Sequence, residues 1–144
     1  MAYYNPMLVK PMREELTEVG FTELRTSQDV DAAMEDAKKG LTLVAVNATN
    51  KAAAGMARPG VRLALQDVAD SKLPDRLLTV FPGDDVEAGT TFFGHIPEIP
   101  PSDPSFALFK DGELVYFMPL HRIEGRDAGM VADDLKAKFE EFAQ

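Results

Sequence analysis

Three short stretches of this chain carry side chains that could do chemistry. The first is the tetrad Thr49-Asn50-Lys51-Ala52, set between the apolar run Leu41 to Val46 and a helix-forming run from Ala52 to Ala69. In a strand-turn-helix unit the turn lies at the carboxyl end of the strand and the positive end of the helix, where ligand-binding groups collect. Asn50 or Thr49 can cap the helix by accepting a bond from an orphan amide. Lys51 is opposed by the helix dipole, at roughly 0.3 to 1 kcal/mol if exposed, so it is either a solvated surface lysine or, with the free amides, an anion holder. The second stretch is Asp103-Pro104, which closes a proline-rich segment. The third is His121 and Glu124 in the loop before the last helix: an acid/base pair by type, or two exposed loop residues with local hydrogen bonds.

Composition removes several chemistries. The 144 residues contain no cysteine and two histidines, His95 and His121. Thiolate nucleophiles, disulfide exchange and thiolate metal ligation are therefore excluded, and a histidine-rich metal site is not expected. No cofactor is expected either. A formal net charge of -9 argues against nucleic acid or an anionic membrane as partner, since both attract basic surface. The opening residues MAYYNPMLVK lack the apolar core of a signal peptide, and no later run approaches the ~18 apolar residues of a membrane span, so a cytoplasmic location is expected. With 45% hydrophobic and 27% charged residues, the chain reads as one globular domain, residues 1–144, long enough to bury a core unaided.

The elements that must position these groups follow from periodicity. Asn5-Pro6 starts a helix whose Leu8, Met12, Leu16 and Val19 share a face up to Gly20, with Pro11 either kinking it or marking its true start. Phe21 to Arg25 is a short strand. Thr26 and Asp29 form a capping box for a helix presenting Val30, Ala33, Met34 and Ala37, ended by Gly40. Leu41 to Val46 is a central strand covered on both sides. The helix from Ala52 to Ala69 buries Ala53, Met56, Ala57, Val61, Ala64, Leu65 and Val68, and Pro59 should bend it because no amide remains to bond the Gly55 carbonyl.

Arg76 to Phe81 is the next strand, after which Asp84 or Asp85 caps a short helix through the core pair Phe92-Phe93 to Gly94. His95 to Pro104, with four prolines in ten residues, is an extended loop. Two strands, Ser105 to Phe109 and Glu113 to Met118, meet at the hairpin signal Asp111-Gly112. A final helix, about Asp127 to Phe142, turns Val131, Leu135, Phe139 and Phe142 to the core. Seven methionines scatter over helix faces and suggest packing.

A parallel βαβ part followed by an antiparallel hairpin gives an α/β domain, a central mixed sheet with helices on both faces and an extra N-terminal helix. This order suits a thioredoxin-like fold. The sequence also resembles the bacilliredoxins, bacterial thioredoxin-fold proteins. The likeness is carried by Val46-Asn47-Ala48 and Ala53-Ala54-Gly55-Met56-Ala57-Arg58-Pro59 around the turn, by Leu8 to Thr17, by Gly20-Phe21 and Glu23-Leu24, and by His121 to Asp127.

That family carries Cys-Gly-Cys where this chain has Asn50-Lys51-Ala52, so the resemblance places the dithiol on Asn50 and Ala52. An amide cannot attack a mixed disulfide and a methyl cannot resolve one. The resemblance also implies a cis Asp103-Pro104 bond facing the turn, a ledge on which an extended substrate backbone pairs. The resulting expectation is a redox-inactive homologue with no catalytic residues. It would bind a protein or peptide through Thr49, Asn50, Lys51, Asp103 and Pro104, with Arg58, His121 and Glu124 as further candidates. The alternative is a non-thiol enzyme or anion-binding protein using the helix N-terminus and Lys51. Oligomeric state is open, a homodimer included.

Overall fold

The structure is a computed structural model and describes residues 4–143. In chain order the elements are α1 (Pro6–Thr17), β1 (Thr22–Glu23), α2 (Ser27–Asp36), β2 (Leu41–Val46), α3 (Arg58–Asp67), β3 (Arg76–Val80), α4 (Val86–Gly94), β4 (Ser105–Lys110), β5 (Glu113–Met118) and α5 (Ala128–Phe142). The strands form one mixed sheet in the order β1-β3-β2-β4-β5. β2 lies at its centre, parallel to β3 and antiparallel to β4, pairing Val46 with Val80 on one side and with Ser105 on the other. All six β2 residues are buried, as a strand covered on both faces requires.

Successive β2 side chains point to opposite faces, and the core divides accordingly. Leu43 and Ala45 join Leu108, Val61, Val131, Leu135 and Phe139 on the α3/α5 side. Val44 and Val46 join Val80, Phe92, Phe93 and Phe109 on the α2/α4 side, where Phe92 meets Phe93 edge-on at 5.2 Å. Several local expectations hold. Asn5 caps α1, accepting from the Met7 amide; the helix runs through Pro11 and does not start there. Thr26 and Asp29 form a reciprocal capping box. Asp111 and Gly112 take φ 50° and 87°, the positive pair that a two-residue hairpin turn demands.

Three expectations need correction. The first strand is two residues rather than five, because only Thr22 and Glu23 find ladder partners at the sheet edge. The bend at Pro59 takes the form of a π-helical turn, Ala53–Ala57, in which the Arg58 amide donates to the Ala53 carbonyl five residues back. Shifting the bond pattern by one residue absorbs the amide that Pro59 lacks, and α3 then ends at Asp67 rather than Ala69. Finally, neither Asp84 nor Asp85 caps α4. Asp85 stands at the cap position without making the bond.

Both carboxylates are instead held by arginines. Arg13 on α1 donates to Asp84 at 2.5 Å and to Glu23 at 2.6 Å, and lies 3.0 Å from Asp85, which also pairs with Arg25. Asp84 is 1% exposed. Burial works against the Arg13 charge, yet the bonds to Glu23 and Asp84 and the field of Asp85 hold its pKa above the ordinary value. Removing the cation from a buried ion-pair network leaves its carboxylates short of counter-charge, which costs more than the pairing itself is worth. Arg13→Met is therefore expected to lower stability by about 3 to 5 kcal/mol in urea unfolding. Lys38→Met, which breaks the exposed pair with Glu35, should change it by less than about 1 kcal/mol.

Candidate functional site

β2 delivers the chain to the candidate turn, and a buried arginine holds it there. Arg58, at the first turn of α3, is 3% exposed. It donates to Asn47 Oδ1 at 2.8 Å, to the Ala48 carbonyl at 2.7 Å and to Glu15 at 2.9 Å. Asn47 in turn donates to the Met12 carbonyl and accepts from the Ala48 amide. The guanidinium thus binds the two residues before the turn to α1. Arg58 faces inward with its Nε and Nη1 donors bound to the protein, and it shapes the turn from behind.

On the outer side Asn50 uses both ends of its amide. Its Oδ1 accepts from the Ala53 amide at 3.0 Å, capping the helix, and its Nδ2 donates to the Asp103 carbonyl at 3.3 Å. Only a side chain with a donor and an acceptor can make both bonds. Asp103-Pro104 is cis. Thr49 is half-buried and Lys51 exposed, while Ala52 is 5% exposed and packs into the core. Five of the expected residues, Thr49 to Lys51 and Asp103-Pro104, therefore lie together.

His121 and Glu124 stand apart as a pair. Both are exposed, and their side chains make no bond to each other. His121 lines a cleft of about 450 Å³ with Ile99, Pro101, Phe117, Pro119 and Arg122. Ser102 fixes that cleft to the ledge, accepting from the Leu120 amide at 2.8 Å while its carbonyl accepts from Ser105. Among the described residues no cluster of three acidic, histidine or cysteine side chains could hold a metal ion, and no helix is long and apolar enough to cross a membrane.

Asp103 itself has unused hydrogen-bonding groups. Its backbone amide and its carboxylate have no partner among the described residues, and burial pushes the carboxyl pKa up from the ordinary value. Sequence reasoning found the ledge and the turn but missed Asn47, Glu15 and Ser102. A polar Asn47 closing an apolar run was the one local signal for the first of these.

A profile described as disulphide isomerase matches residues 4–143. The bacilliredoxin of Salinibacter ruber is 46% identical over 139 residues, covering 96% of this chain and 81% of its own. That of Cytophaga hutchinsonii is also 46% identical over 139 residues, covering 96% and 99%. The chain belongs to the bacilliredoxin family. Its fold is thioredoxin-like. A mutant thioredoxin from Halobacterium salinarum superposes with TM-score 0.56 at 17% identity, over 88% of this chain and 93% of that one. Reduced thioredoxin from Schistosoma mansoni gives 0.52 at 22%, over 81% and 95%. Within the bacilliredoxin family this member has no cysteine at all.

Two outcomes follow for the site. The folded Asp103 pKa is raised, so its carboxyl holds a proton more tightly folded than unfolded. Its contribution to stability is then complete below the unfolded pKa of about 3.9 and is lost as pH rises through the folded value. Asp103→Asn, which breaks no hydrogen bond of the carboxylate, is expected to melt higher than the parent at pH 7 and at the same temperature at pH 3. Secondly, Asn50→Cys places a thiol where the Ala53 amide and the helix terminus favour the anion, and Lys51 adds to that field. Its pKa, followed by thiolate absorbance, is expected below the free-cysteine value of about 8.5 and to rise on adding Lys51→Gly. A value at or above 8.5 means the helix amides no longer face position 50.

Proposed function

We propose that this chain is a redox-inactive bacilliredoxin homologue that binds an extended peptide segment of a partner protein in a bacterial cytoplasm, without disulfide exchange. The observation that carries this reading is the state of the ledge. The cis Asp103-Pro104 segment keeps an unpartnered backbone amide beside the turn, while the positions of the dithiol hold a capping amide and a buried methyl. A free N–H at a sheet end is what an extended chain pairs with. The open clefts on either side of Pro101 supply apolar surface for its side chains.

The names of the relatives, bacilliredoxin and disulphide isomerase, describe thiol chemistry. That chemistry needs a thiolate to form the mixed disulfide, and this chain has none. Anion capture at the helix start, the other use of the turn, is disfavoured because Asn50 Oδ1 already occupies the Ala53 amide. The test is a titration of the isotopically labelled protein with a mixture of short unstructured peptides, alongside an insulin-reduction assay. Shifts confined to residues 49–52, 82–93, 101–104 and 117–122, with no turnover above the uncatalysed rate, are expected. Turnover, or shifts elsewhere only, overturns the reading.

A further inference from the structure

The two clefts beside the ledge differ in charge. On the α4 side a cleft of about 220 Å³ has apolar walls from Pro82, Val86, Phe93 and Pro101, with Thr90 and Asp103 as its polar side chains. Gly89 lets α4 close on it. A Cβ there would come within 2.5 Å of Pro82, so any other residue would push the helix off the loop and widen the cleft.

Asp103 is the one ionisable residue on these walls. Its carboxylate is half-buried and makes no hydrogen bond or ion pair with any described residue. The neighbouring acids Asp84 and Asp85 are bound to Arg13 and Arg25, so they do not draw on the same counter-charge. Desolvation accounts for the raised Asp103 pKa; no cation among the described residues offsets it. A partly dehydrated, unpaired anion at the end of an apolar cleft is costly unless a ligand supplies the missing charge. It also sits on the residue whose amide is free for a bound backbone.

Resting on the peptide-binding reading, we infer that this cleft is a subsite for a lysine or arginine side chain of the bound segment. The methylene stem lies along Pro82, Val86 and Phe93, and the cationic tip meets the Asp103 carboxylate with the Thr90 hydroxyl as second acceptor. Long basic side chains are apolar in the stem and charged at the tip, and that is the pattern of the walls. The net charge of -9 favours the approach of basic segments in general; the cleft selects where the cation is held.

The probes are three capped pentapeptides, glycine and alanine throughout except for a central lysine, norleucine or glutamate, titrated against the full chain by nuclear magnetic resonance. Norleucine keeps the stem and removes the charge. The lysine peptide is expected to bind about tenfold tighter than norleucine, the scale of one charge-assisted hydrogen bond, with shifts at residues 82, 86, 90 and 103. Asp103→Asn should erase that preference, and Thr90→Val should narrow it. Glu87→Gln, an exposed acid on α4 outside the cleft, should leave it intact. Equal binding of lysine and norleucine overturns the subsite and leaves peptide binding standing. So does an equal loss in Glu87→Gln, which would assign the preference to the general field. A preference for glutamate overturns the subsite in favour of Lys51. Failure of all three peptides, together with the peptide mixture above, overturns both readings.

Discussion

A nearly buried guanidinium sits directly behind the turn, and the site takes its shape from satisfying it. Arg58 is nearly inaccessible, so its charge has to be matched inside the protein. It finds an amide oxygen, a backbone carbonyl and a carboxylate. Two of these belong to Asn47 and Ala48, the residues that carry β2 into the turn, and the third to α1. The end of the central strand, the start of α3 and the N-terminal helix are thereby referred to one point. Moving any of them would strand a buried charge, and the turn is correspondingly fixed from the inside.

The N-terminal helix therefore acts as a brace. It contributes Glu15 and the Met12 carbonyl to the network behind the turn, and Arg13 to the acidic residues at the start of α4. Arg62 from α3 adds a bond to the Glu15 carbonyl. Both helices that border the ledge, α3 and α4, are thus tied to the same few residues of α1. Individually such ion pairs add little over apolar packing. Together they fix orientation, which the apolar contacts of a mixed sheet do less specifically.

Much of this was legible in the sequence where the determinant is local. The apolar run of Leu41 to Val46, the box at Thr26 and Asp29, and the Asp111-Gly112 turn each follow from a few adjacent residues. What local pattern hides is pairing across the chain. Asp84 and Asp85 precede a helix and look like caps, yet their partners are Arg13 and Arg25, far away in sequence. Arg58 reads as a binding candidate until the fold turns it inward. Pro59 announces a disturbed helix but not its form, a π turn. At the site, the turn and the ledge were readable. The cleft beside Asp103 was not, because its walls come from segments brought together only by the sheet.

The double bond made by Asn50 has a consequence beyond its geometry. A dithiol turn exists in two covalent states, and the balance between them follows the redox poise of its surroundings. An amide bridging the helix start to the Asp103 carbonyl exists in one. The surface around the turn is therefore constitutive. A scaffold whose relatives are named for a reversible bond has become a fixed one here, and whatever docks on it meets the same face under oxidising and reducing conditions alike.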